Sequence, residues 1–166
     1  MHRIHSRPDG HPPDVLVRAP LSSFLRTKGR SLINIKNFSL SWRWISSTHT
    51  NLPDEVVRTL KPLSPETAKR FAQSVPSELS SASLRFEAKD VLVTQRWLEE
   101  LGVPAQRVTV VWNEETAISL PWAVFCEYWD DFCYPSSDDA DIFLQNERAF
   151  LRWRHYEVFD HDPKMF

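Results

Sequence analysis

Trp122-Ala123-Val124-Phe125-Cys126-Glu127-Tyr128-Trp129-Asp130-Asp131-Phe132-Cys133 carries the clearest periodicity in the chain. Trp122, Phe125, Cys126, Trp129 and Phe132 or Cys133 recur at the i, i+3, i+4, i+7 spacing of one helical face. That spacing predicts a single amphipathic helix buried on its aromatic side, with Glu127, Asp130 and Asp131 on the other. Ser119 is placed to cap it and Pro121 to sit in its first turn. Tyr134-Pro135-Ser136-Ser137 ends it. Downstream, Ile142-Phe143-Leu144 and Phe150-Leu151-Arg152-Trp153 flank a turn around Asn146-Glu147 and read as a β-hairpin. Upstream, Arg107-Val108-Thr109-Val110-Val111-Trp112 is β-branched and aromatic, which predicts a central strand. A helix with one apolar stripe beside a hairpin and a strand points to the α+β class: an antiparallel sheet with helices packed on one face, in a single domain.

Further elements are read outward from this nucleus. Phe38, Leu40, Trp42 and Trp44 alternate with Ser39, Ser41 and Arg43, the period-two pattern of a half-buried strand. A turn is expected at Asn51-Leu52-Pro53-Asp54. Ser64-Pro65-Glu66 opens a helix that runs through Phe71 and ends near Pro76. Asp90 caps a second helix carrying Val91, Val93, Trp97, Leu98 and Leu101, closed by Gly102-Val103-Pro104. The globular domain is expected over 37–162. Residues 1–31 hold four prolines, two of the three glycines and three of the six histidines. Proline at that density blocks both ladder types, so a disordered or weakly ordered extension is expected there. Sequence upstream of the true start, or a presequence whose weak helix Pro20 interrupts, are the alternatives.

Composition bounds the class of function. Apolar residues are 42% of 166, with seven Trp and ten Phe, which excludes a disordered chain. No run approaches the roughly 18 apolar residues of a membrane span, so no membrane association and a cytoplasmic location are expected. Cys126 and Cys133 form no disulfide framework, and both read as core residues. Charge is unevenly distributed. Residues 1–31 hold six Lys/Arg against two Asp, residues 32–112 ten against eight, and residues 113–166 four against twelve acids. An acidic C-terminal third repels nucleic acid and attracts a basic protein.

Catalytic signatures are missing. The sequence has no glycine-rich phosphate loop, no H-E-x-x-H, no G-x-S-x-G and no C-x-x-C pair, so neither cofactor nor metal is expected. Asp138-Asp139-Ala140-Asp141 lacks the glycine and distal Glu of a calcium loop. The candidate binding residues are Asp130, Asp131, Asp138, Asp139, Asp141, His155 and Glu157. Placed at the end of the aromatic helix, Asp130 and Asp131 oppose its macrodipole, a locally unfavourable choice of the kind that marks function. A solvated acidic loop is the plainer reading. His155, Glu157 and Phe159 would share a face in a strand, and a carboxylate beside His supports general-base work. An enzyme using His155 with neighbouring carboxylates in a pocket is therefore the alternative, although no nucleophile can be named. The tryptophans read as core rather than as a stacking platform, because Trp122, Trp129 and Trp153 lie in the acidic third.

The aromatic segment Trp122–Asp139, the hairpin and His155-Tyr156-Glu157 together resemble small bacterial cytosolic domains, some grouped with the toxin-immunity proteins of polymorphic toxin systems. The likeness covers residues 38–160. It rests on an aromatic helix, an acidic loop and a hairpin, and carries over no catalytic residue. The resemblance implies a non-enzymatic intracellular protein that sequesters a toxin, and the acidic C-terminal third adds the expectation that this partner is basic.

Overall fold

The computed structural model describes residues 34–49, 51–75, 83–101, 107–144 and 149–161. The extension read over 1–31, the helix-closing Gly102-Val103-Pro104 and the turn at Asn146-Glu147 lie outside them. In chain order the elements are α1 (Trp42–Ile45), α2 (Asp54–Val57), β1 (Lys61–Pro62), α3 (Pro65–Ser74), β2 (Leu84–Glu87), α4 (Val91–Glu100), β3 (Arg107–Val111), β4 (Ala117–Pro121), α5 (Trp122–Glu127), α6 (Trp129–Phe132), β5 (Ala140–Leu144), β6 (Ala149–Arg154) and β7 (Val158–His161). The strands form one antiparallel sheet in the order β1-β4-β3-β5-β6-β7-β2. The fold is α+β with an antiparallel sheet, as the sequence predicts, but helices pack on both faces of the sheet rather than on one. β3 lies in the sheet interior and β5–β6 is the expected antiparallel pair.

Strand alternation divides the sheet into two unlike faces. Val108, Val110, Ile118, Leu120, Ile142, Leu151, Trp153 and Phe159 point into the main core, which α1, α2, α4, α5 and α6 cover. On the opposite face α3 packs Ala68, Phe71, Ala72 and Val75 over Val111, Ala117 and Phe143. Those four residues fall at i, i+3, i+4 and i+7, which is why ten residues suffice to cover that half of the sheet. The other half of that face carries charge: Asp141–Arg152 at 2.6 Å, then Arg154–Asp160 at 3.3 Å and Arg85–Asp160 at 3.1 Å. Carboxylate and guanidinium thus alternate across β5, β6, β7 and β2 as cross-strand neighbours.

The caps follow the sequence. Ser64 Oγ accepts the Thr67 N–H at 3.3 Å with Pro65 at the first helical position, and α3 stops at Ser74. Asp90 Oδ1 accepts the Val93 N–H at 2.9 Å. Behind that cap, Thr94 and Leu98 are buried and Trp97 stacks on Phe86 of β2 at 4.1 Å, the planes 2° apart.

Three further expectations are corrected. Residues 38–44 are not a strand: they form turns leading into α1. Their N–H groups are satisfied locally, Ser41 N by Phe38 O at 3.0 Å and Trp44 N by Ser41 O at 3.0 Å, so no ladder partner is needed. The alternation misleads because it places Arg43 in water and Trp42 in the core. Arg43 is 5% exposed and Trp42 is 42% exposed. Second, the aromatic helix is two, broken at Tyr128 (φ −123°, ψ 31°). The same residues are buried, because the break turns α6 without releasing its rings. Third, Ser119 caps nothing: it pairs with Thr109 and Lys61 inside β4, and Pro121 ends that strand. The turn at 51–54 instead leads directly into α2, with Pro53 at its cap position.

Candidate functional site

The acidic residues singled out by sequence separate into two groups. Asp138 is not a solvated loop residue. It is buried, and Arg43 of α1 grips both its oxygens, at 2.5 and 2.8 Å. Its Oδ2 also accepts the Tyr134 N–H at 3.0 Å, and the guanidinium lies 4.3 Å over the Tyr134 ring. Asp139 accepts two bonds from His155, from the backbone N–H at 2.9 Å and from Nδ1 at 3.0 Å. A carboxylate only accepts, so Nδ1 bears the proton. Burial works against the Asp139 charge, but the two His155 bonds and Arg154 outweigh it and hold the carboxyl below its usual range. Asp141 lies in β5 and pairs with Arg152. These three acids thus fasten α1, β5, β6 and the β6–β7 turn to one another.

Asp130 and Asp131 differ. They open α6 rather than closing a helix, so the macrodipole favours them, contrary to the sequence reading. No cation pairs with either among the described residues. The Asp131 carboxyl is pushed up to about 6, first by burial and then by Asp130 beside it. Glu127, Glu55 and Asp131 all act on the Tyr128 hydroxyl and raise its pKa, the Glu127 hydrogen bond most. Among the described residues, the acids around α6 thus form a negative face without a counter-cation at Asp130 or Asp131.

α6 is held firmly despite its four residues. The indole N–H of Trp44 donates to Asp131 O at 3.1 Å, and that of Trp112 donates to Phe132 O at 3.1 Å. Carbonyls that a helix end leaves orphaned are satisfied by side chains from α1 and from just beyond β3. Trp129 ties α6 to the start of α4 through a 3.2 Å bond to Val91 O.

Beside α6 opens a cleft of ≈ 380 Å³, lined by Val91, Trp129, Asp130, Tyr134, Pro135 and Glu157 among others. Glu157 does not share a strand face with His155. Both lie in the turn between β6 and β7, and Glu157 has a φ of 64°. A side chain disfavours that left-handed conformation by about 1–2 kcal/mol.

No family model, no curated protein and no solved structure matches the chain.

His155 and Asp139 form an oriented imidazole–carboxylate pair, but it is half exposed, and among the described residues no hydroxyl or thiol hydrogen-bonds to it. Cys126 and Cys133 are buried and free. Burial pushes the Cys126 thiol up to about 12, and raises that of Cys133 well above its ordinary value. Neither is a nucleophile. Sequence reasoning missed Arg43, which the alternation placed in water, and the exposed Val91, Leu92 and Val93, which helical spacing placed in part in the core. Three consecutive apolar residues at a helix start were the available signal for the second miss.

Proposed function

We propose that the chain is a non-enzymatic interaction domain that binds a basic protein through the acidic face of α6, and that it serves as an immunity protein toward a basic toxin. One observation carries the binding surface: Asp138, Asp139 and Asp141 each have a partner, whereas Asp130 and Asp131 have no counter-cation among the described residues. A half-buried carboxylate beside another acid costs stability, and natural chains retain such choices at functional sites. The indole bonds to α6 support the same reading, since a preorganised face loses less entropy on binding. The resemblance of the aromatic segment, acidic loop and hairpin to small bacterial domains, some of them grouped with immunity proteins, supports the toxin assignment.

The test pairs a growth assay with a binding assay. Co-expression with the toxic product of the neighbouring reading frame restores growth, and Asp130→Asn/Asp131→Asn weakens both rescue and binding to that product. Full rescue by the double variant would remove the α6 face from the function. A neighbouring product that is neither toxic nor bound would remove the immunity assignment.

A further inference from the structure

We propose that the cleft between α4, α6 and the β6–β7 turn receives one arginine side chain of the basic partner. The inference rests on the acidic-face reading and adds to it the chemistry of a specific anchor.

The lining selects a cation. The indole N–H of Trp129 is engaged by Val91 O, and that of Trp153, which also lines the cleft, by Tyr134 O at 3.4 Å. Both indole donors are thus occupied, while two acidic residues, Asp130 and Glu157, line the same space from separate elements. Lys89 also lines it; its ammonium is held by Glu87 at 2.6 Å and lies within electrostatic range of Glu157, leaving Asp130 without a counter-cation among the described residues. With two acids against one lysine, the lining favours a cation over an anion. A cation with several donors satisfies both carboxylates at once.

The remaining lining is apolar and aromatic: Val91, Trp129, Tyr134 and Pro135. An arginine stem packs on such a surface, and its flat, weakly hydrated guanidinium stacks on rings and forks to carboxylates, which a lysine ammonium does not. The cleft volume lies within the roughly 300–1,000 Å³ range of sites that enclose a small ligand. Two features place the cleft in an interface rather than in a passive depression. Val91, Leu92 and Val93 are exposed at 46%, 71% and 56% at the start of α4, an apolar rim that the fold itself leaves uncovered. Glu157 occupies a left-handed position that glycine would take without cost, and it lines the cleft. Arginine is also among the residues that most often anchor protein interfaces.

The test is an amide-resolved NMR titration with N-acetyl-arginine methylamide, its lysine analogue and its neutral citrulline analogue. Arginine is expected to shift the amides of Val91, Asp130 and Glu157 and the Trp129 indole, citrulline to leave them in place, and lysine to bind more weakly. Glu157→Gln and Asp130→Asn each weaken arginine binding by about threefold or more. Equal shifts from arginine and citrulline, or shifts that map elsewhere, would overturn the cleft assignment. A decaarginine peptide separates this result from the wider reading. If Val91→Trp, which fills the cleft, leaves decaarginine affinity unchanged, the cleft fails while the acidic face stands. If Asp130→Asn/Asp131→Asn leaves it unchanged, the acidic face fails, and the arginine titration still decides the cleft.

Discussion

The Trp44 indole N–H donates to the Asp131 carbonyl at 3.1 Å across 87 positions of sequence, while its neighbour Arg43 holds Asp138. One turn of α1 thus anchors both the proposed binding helix and the loop that follows it. Arg43→Met leaves a buried carboxylate without its cation and is expected to cost about 3–5 kcal/mol in urea unfolding. Combining it with Asp138→Asn should recover part of that loss, because the neutral amide still accepts the Tyr134 N–H. A cost under about 1 kcal/mol for Arg43→Met would show that the pair holds nothing together.

Trp44→Phe keeps most of the ring packing and removes the bond to Asp131. A loss of about 1–3 kcal/mol is expected beyond any packing change, since the carbonyl is left unsatisfied. Amide exchange should accelerate in α6 before it does in β3. Uniform acceleration would mean that α6 does not depend on the indole.

Asp131 gives the stability curve a defined pH dependence. Its folded-state pKa of about 6 lies above the roughly 3.9 of an unfolded Asp, so protonation favours the folded state. Stability attributable to this group is fully present below about pH 4, falls as pH rises to about 6, and stays lost above. Asp131→Asn should therefore exceed wild type at pH 7 by on the order of 1 kcal/mol, discounted for partial exposure, and match it near pH 3. A variant less stable than wild type at pH 7 would contradict the burial and repulsion assigned to this carboxylate.

Both cysteines should resist a thiol-reactive disulfide reagent at pH 8 in the folded protein and react together once urea unfolds it. Burial raises both thiols, and only the thiolate attacks. Rapid modification of either in the native state would place it in contact with solvent.

The sheet was legible where local chemistry and tertiary packing agree. Val108–Val111 is β-branched and buried, Ser64-Pro65 and Asp90 are caps with their expected bonds, and Phe125, Trp129 and Phe132 are core. It was not legible where tertiary contacts overrule pattern. Residues 38–44 alternate like a strand but fold into turns, because Trp44 and Arg43 both find partners some ninety positions away. β1 is two residues long with a proline, and in β2 the three residues Leu84, Arg85 and Glu87 are exposed, so neither carries a readable stripe. The site was half legible. Sequence places twelve acids in the last third, yet only the fold distinguishes Asp138, Asp139 and Asp141, which have partners, from Asp130 and Asp131, which have none among the described residues.

The most direct measurement is the affinity of decaarginine against ionic strength for wild type, Asp130→Asn/Asp131→Asn and Asp139→Asn. Steering and binding by uncompensated charge weaken as salt screens them, whereas the charge of Asp139 is offset by the neighbouring Arg154 guanidinium. The expected result is a flattened salt dependence for the α6 double variant and a wild-type slope for Asp139→Asn. Equal slopes for all three proteins, or flattening only in Asp139→Asn, would contradict the assignment of the binding face to α6.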